Sequence, residues 1–125
     1  MSEQTNLTQY MLLLRQPQAG AGPSAEELRH IMDRFGKWIN QLSTQGILVG
    51  NNGLQNTGKI LRGPRGASVT DGPFVESKEI VGGYVVIKAQ TLDQAVEIAR
   101  DCPGLDYRLA VEVRQLIPRT EKKQS

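Results

Sequence analysis

Two helix-start signatures constrain the fold of this chain more than any other feature of its sequence. Residues 24–27 read Ser-Ala-Glu-Glu and residues 91–94 read Thr-Leu-Asp-Gln. Both have capping-box spacing, in which a hydroxyl side chain accepts a backbone N–H three residues later. Apolar residues recur at helical spacing after the first signature until Gly46, and after the second until the Pro-Gly pair at 103–104. The sequence therefore predicts two helices, with room for strands before, between and after them.

The segments around these helices have the composition of β-strands. Residues 10–14 form a compact apolar run, residues 47–53 read as a strand with a bulge, and residues 84–89 are rich in β-branched side chains. Residues 59–62 and 67–70 flank a Gly-Pro-Arg-Gly turn, which favours a hairpin. A last strand is expected where apolar residues Leu109, Val111, Val113 and Ile117 alternate with Arg108, Ala110, Glu112 and Arg114.

This order of elements predicts an α+β fold. The predicted order is β-α-β-β(hairpin)-β-α-β, which corresponds to a ferredoxin-like βαββαβ sheet with an inserted β-hairpin and both helices on one face. With 125 residues the chain is expected to form one domain. We place that domain at residues 8–117, with a flexible leader at 1–7 and a flexible tail at 118–125.

The sheet face opposite the helices is the informative surface. Alternate side chains of residues 10–14 are apolar in both directions, as in a strand buried on both sides. The last strand instead carries Arg108, Glu112 and Arg114 on one of its sides. An apolar centre beside charged side chains predicts a homodimer in which a partner subunit encloses a polar pocket, and a solvated face is the alternative.

Composition argues against several classes of function. Cys102 is the single cysteine and His30 the single histidine, so neither an internal disulfide nor a zinc cluster is expected, and we predict no metal and no cofactor. No apolar run is long enough to cross a bilayer, and the N-terminus lacks the layout of a secretory signal, which predicts a cytoplasmic protein without a membrane partner. The net charge of +2 does not favour nucleic-acid binding.

The stretch at residues 69–87 is the most specific motif in the chain. It reads Val-Thr-Asp-Gly-Pro-Phe-Val-Glu-Ser-Lys-Glu-Ile-Val-Gly-Gly-Tyr-Val-Val-Ile and resembles the signature of DGPF-domain proteins of the YCII-related family. The resemblance continues over nearly all of residues 8–117. It implies a dimeric α+β barrel, in which two ferredoxin-like sheets pack face to face around a cleft. It implies little about a reaction, since family members include suspected enzymes and proteins encoded beside extracytoplasmic-function sigma factors.

A catalytic dyad found in a smaller relative is missing. That relative pairs a helix histidine with an aspartate, and the matching places here hold Phe35 and Thr44. His30 does not replace the dyad, because its helical phase puts it on the solvent side.

Asp71 is the candidate catalytic residue. An aspartate that begins a turn usually accepts the N–H two residues later, but Pro73 has none. The carboxylate is therefore expected to accept the Phe74 N–H, to contact another segment or to face a ligand. Both a structural role at a stiff corner and a role as general base, with its pKa raised by burial, are open at this point.

Basic and polar residues near the expected cleft form the candidate ligand-binding set. Lys78 and Glu79 are read as a charged loop at its lip, with a solvated loop as the alternative. The candidate ligand-binding residues are Lys78, Glu79, Tyr84, Lys88, Arg108 and Arg114. A formal dinucleotide fingerprint at residues 20–25 lacks the strand context and the acidic residue that such sites need.

Three functions are compatible with these residues. The first is a binding or regulatory module that holds a small polar or anionic molecule in a dimer cleft. The second is a proton-transfer or isomerase enzyme that uses Asp71. The third is an interaction module linked to transcription.

Overall fold

The strands and helices follow each other in the order that the sequence predicts. The computed structural model describes residues 7–17, 23–73 and 78–118. In chain order its elements are β1 (Thr8–Pro17), α1 (Ala25–Thr44), β2 (Leu48–Gly53), β3 (Gly58–Arg62), a first 3-10 segment (Pro64–Gly66), β4 (Ser68–Gly72), β5 (Glu79–Ala89), α2 (Leu92–Ala99), a second 3-10 segment (Pro103–Tyr107) and β6 (Ala110–Gln115).

Four strands form the main sheet and two form the inserted hairpin. The main sheet has the order β2-β5-β1-β6, and all its neighbouring strands are antiparallel. β3 and β4 pair in a separate two-stranded sheet. This topology confirms the predicted α+β, ferredoxin-like arrangement. Within the described ranges, neither helix is long and apolar enough to cross a lipid bilayer.

Both ends of α1 are fixed by local hydrogen bonds that the sequence predicts. Ser24 Oγ accepts the Glu27 N–H at 3.1 Å, and Glu27 Oε1 accepts the Ser24 N–H at 3.0 Å, which completes the capping box. At the other end, Gly46 has a φ of +75°. The Ile47 N–H then bonds to the Leu42 carbonyl at 2.9 Å, a Schellman-type ending that favours glycine.

α2 has only half of the predicted capping box. Thr91 Oγ1 accepts the Gln94 N–H at 3.1 Å, as expected. Gln94 Oε1, however, accepts from the Gln90 N–H at 2.6 Å instead of from Thr91. The helix start is therefore confirmed, while the reciprocal bond is shifted by one residue.

The core lies between the sheet and both helices. Leu12 is at its centre, paired with Val85 of β5 and Val113 of β6. The buried cluster comprises Tyr10, Leu12, Leu14, Trp38, Leu42, Val85, Ile87, Ala89, Ala95, Ala99 and Cys102. Because side chains of α1 and α2 join one cluster with alternate residues of β1 and β5, both helices cover the same face of the sheet.

The boundaries of several strands differ from prediction, most clearly those of β5 and β6. β5 begins at Glu79 rather than at Tyr84, because its early residues pair with the end of β1, where Pro17 lies opposite Glu79. β6 begins after Arg108, which adopts a left-handed conformation (φ 71°) at the end of the second 3-10 segment. The chain must turn there before a strand can start, so the placement of Arg108 in the last strand was wrong. Ile117 lies beyond the end of β6.

Candidate functional site

The sheet surface opposite the helices has an apolar centre. We call this surface the open face and define it by Met11, Leu13, Arg15, Glu79, Tyr84, Val86, Lys88, Glu112 and Arg114. Its middle rows place Met11 between Val86 and Arg114, and Leu13 between Tyr84 and Glu112. Val86 is only 8% exposed, and Met11, Leu13 and Tyr84 are half-buried. Apolar side chains thus occupy the middle of a sheet surface that neither helix covers.

A cluster of four charged side chains borders this apolar centre. Arg15 Nε lies 3.1 Å from Glu79 Oε1, and Arg15 Nη1 lies 3.1 Å from Glu112 Oε1. Arg114 Nε lies 4.0 Å from Glu112 Oε2. We call these four residues the Arg15 cluster. Arg114 remains largely exposed, so its guanidinium has N–H donors available for an anion.

The structure places four of the predicted ligand-binding residues on the open face and two outside it. Glu79, Tyr84, Lys88 and Arg114 all belong to the open face, as the strand registers show. Lys78 is exposed just before β5, and Arg108 is exposed in the turn before β6.

Sequence reasoning missed Arg15, the central cation of the cluster. The predicted first strand ended at Leu14, whereas β1 continues to Pro17. The available signal was strand parity, since Arg15 shares its side of the strand with Met11 and Leu13.

Asp71 lies in a different place from the one predicted. It is a strand residue of β4 rather than the first residue of a turn. Its Oδ1 atom accepts a hydrogen bond from Lys59 Nζ at 2.7 Å, and its side chain is 88% exposed. The Asp71 carboxylate of a single chain therefore lies in solvent and not in the buried environment that the general-base hypothesis assumed. The predicted contact with the Phe74 N–H lies outside the described residues.

The exposed pair with Lys59 changes what we expect of Asp71 variants. An exposed ion pair contributes about 0.2–1 kcal/mol, so Asp71→Ala and Asp71→Asn should each lower the free energy of unfolding by no more than that. Lys59→Ala is the matched control, because it removes the same pair from the other side. Urea denaturation measures all three. A loss of about 2 kcal/mol or more in Asp71→Ala alone would contradict the assignment and restore a structural role at the corner.

A polar concavity within the single chain lies at the base of the hairpin. It has a volume of about 430 Å³ and is lined by residues of β3, by Gly72 and Pro73, and by the first residues of β5. Lys59 and Glu79 contribute its charged side chains. Asp71 is not among the residues that line this concavity, and the cleft predicted between two subunits stays a prediction.

A second cavity lies on the helix side of the sheet. It has a volume of about 470 Å³ and opens between the N-terminal half of α1 and the ends of β1, β2 and β5. The predicted apolar stripe of α1 is buried at Trp38, which is 5% exposed, but Leu28 is 48% and Met32 60% exposed. The floor beneath them is formed partly by Gly82 and Gly83, which have no side chains to fill the gap.

Close backbone packing explains one of these glycines. A Cβ atom on Gly83 would lie 2.9 Å from the carbonyl oxygen of Asn52 and 3.3 Å from Gly53 Cα. Only a residue without a side chain fits at Gly83 unless the neighbouring strand shifts.

The remaining motifs have structural roles or lie outside the described residues. His30 is exposed on α1, as predicted. Cys102 is buried, and burial raises the pKa of its thiol above the ordinary value, as expected of a packed cysteine. The glycines of the formal dinucleotide fingerprint, at positions 20 and 22, fall outside the described residues. Among the residues described, no three His, Cys, Asp or Glu side chains are grouped as metal ligands.

Comparison with known proteins assigns the family. The sequence model of the YCII-related domain matches residues 8–118, which is most of the chain. A search of curated proteins found no match. The matched region includes both helices, the main sheet, the hairpin and every residue of the open face. The chain therefore belongs to the YCII-related family.

Proposed function

We propose that this protein is a self-associating small-molecule-binding module, in which the open faces of two copies pack together and enclose a polar cleft. The observation that carries the proposal is the apolar centre of the open face beside the Arg15 cluster. A sheet with one apolar face toward its helices and a second apolar surface toward solvent lacks a covering layer. A second copy of the chain supplies that layer.

The charges of the open face fit a second copy of the same surface. The open face carries the basic side chains of Arg15, Lys88 and Arg114 and the acidic side chains of Glu79 and Glu112. A surface with both signs can face its own two-fold-related copy without uniform repulsion. The YCII-related resemblance implies the same arrangement, a dimeric α+β barrel.

The inserted hairpin also favours self-association. Leu61 and Val69 are cross-strand partners in β3 and β4, and both side chains are exposed. A two-stranded hairpin is marginally stable by itself, so this apolar pair gains from contact with another chain. A second copy that covers the open face lies close to the hairpin base, where Glu79 begins β5.

The Arg15 cluster is the part of the cleft that suits a small anion. Arg15 is already held by two carboxylates, whereas Arg114 has a single, longer contact with Glu112. Arg114, with Lys88 on the same face, therefore offers the available positive charge. Guanidinium groups bind carboxylate and phosphate groups through paired N–H donors. The ligand class is a small polar molecule with at least one such acidic group.

No observation favours the enzymatic alternative over this binding role. That alternative requires Asp71 to be buried as a general base, and Asp71 is exposed and paired with Lys59. Ligand recognition in this proposal depends on Arg114 rather than on Asp71.

Citrate is a suitable probe for the cleft. We expect sodium citrate to raise the melting temperature of the wild-type protein by a few degrees more than sodium chloride of equal ionic strength. Part of that gain is general, because citrate is excluded from protein surfaces. Arg114→Gln should lose the specific part, whereas Arg29→Gln, an exposed arginine on α1, should keep it. An equal citrate gain in wild type and both variants would contradict the anion site.

A further inference from the structure

We infer that the helix-side cavity is a second binding site, one that takes a neutral, mainly apolar small molecule with a single hydrogen-bonding group. This site goes beyond the proposed cleft, because it lies on the opposite side of the sheet and is formed within one chain. Its volume of about 470 Å³ is in the range of small-molecule sites, about 300–1,000 Å³.

The lining of the cavity determines the class of ligand. Apolar side chains of Leu14, Leu28, Ile31, Met32 and Phe35 form most of its wall. Among the described residues, none that lines it carries a formal charge at neutral pH. A charged ligand would lose its hydration without gaining a counter-ion, so a neutral molecule is favoured.

Polar groups are confined to a small part of the wall. Gln16, Asn51, Asn52 and Tyr107 are the polar residues among those described that line the cavity. Apolar sites with a few such groups orient a ligand by one or two hydrogen bonds. This combination selects a compact aromatic or branched body that carries one donor or acceptor.

The wall is held open by contacts that do not depend on a ligand. Arg34 Nη2 donates to Asp106 Oδ2 at 3.1 Å, which ties α1 to the segment that carries Tyr107. This hydrogen bond raises the pKa of Arg34 above its ordinary value. On the floor, a Cβ atom at position 83 would lie 2.9 Å from the carbonyl oxygen of Asn52. Gly83 therefore cannot be replaced by a residue whose side chain would occupy the cavity.

The neutral fluorophore N-phenyl-1-naphthylamine tests this inference, since it has an aromatic body and one N–H donor. We expect saturable binding of one molecule per chain, with enhanced probe emission. The single tryptophan, Trp38, packs against Phe35 of the cavity wall with ring centroids 5.6 Å apart. Its emission should therefore fall by energy transfer as the probe binds.

Variants of α1 locate the probe. Leu28→Trp and Met32→Trp add bulk at the half-exposed mouth of the cavity, where we expect the fold to tolerate it. Each variant should weaken probe binding about tenfold, a change of about 1.4 kcal/mol. His30→Trp adds the same bulk on the solvent side of the helix and should leave the affinity unchanged. Melting curves confirm that each variant is folded.

Leu13→Glu separates this site from the proposed dimer cleft. The variant alters the open face and should bind the probe as wild type does, whether it is a monomer or a dimer. Loss of probe binding in Leu13→Glu would place the probe on the open face and overturn the inference. The absence of saturable binding to wild type, or unchanged affinity in both Leu28→Trp and Met32→Trp, would also overturn it.

Discussion

Leu12→Ala is expected to lower the free energy of unfolding by about 2–5 kcal/mol, the range for removing a fully buried leucine side chain. Leu12 is 0% exposed and lies in the central strand, between Val85 and Val113. The sheet on both sides and the helices above it limit how far the surroundings can collapse into the space left behind. Urea denaturation at one fixed protein concentration measures the change.

Leu54→Ala is the matched control for this prediction. Leu54 is about half exposed in the loop after β2, and its backbone N–H bond to the Gly82 carbonyl at 2.9 Å is kept in the variant. The same chemical change should therefore cost about 0.5 kcal/mol or less there. Equal losses in the two variants would show that Leu12 is not at the centre of the core.

Leu13→Glu is expected to weaken self-association by about a hundredfold or more, because an unpaired carboxylate buried in an apolar interface costs several kcal/mol. Leu13 is the chain neighbour of Leu12 but points to the open face, opposite Tyr84 and Glu112. The fold of the single chain should survive, since the side chain does not enter the core. Sedimentation velocity over a dilution series measures the dissociation constant, and circular dichroism checks the fold.

The control for Leu13→Glu is the same change at an exposed leucine away from the open face. Leu105 lies in the second 3-10 segment and is exposed, so Leu105→Glu should leave the dissociation constant unchanged. If Leu13→Glu had no more effect than Leu105→Glu, the open face would not be the interface.

The helices and most strands could be predicted because their signals are local. Ser24 and Glu27 form the capping box that their spacing indicates, and Gly46 ends the helix in the expected left-handed conformation. The start of β5 could not be predicted in this way. Gly82 and Gly83 have weak intrinsic strand preference, and pairing with the end of β1 overrides it.

The candidate site was predicted less completely, because side-chain pairing depends on register and depth. The Arg15 cluster forms because β1 continues past its apolar run and brings Arg15 next to residues distant in sequence, Glu79 and Glu112. Helical periodicity indicated which face of α1 packs toward the sheet, but not how deeply each residue of that face is buried. Trp38 is buried, whereas Met32 on the same stripe borders a cavity.

The most direct test of self-association through the open face is the mass of the wild-type protein in solution. Multi-angle light scattering at micromolar concentration, coupled to size-exclusion chromatography, gives this mass without any mutation. We predict twice the chain mass of 13.8 kDa, independent of concentration across the micromolar range. A mass of 13.8 kDa throughout that range would contradict the proposal and leave the open face as a solvated surface.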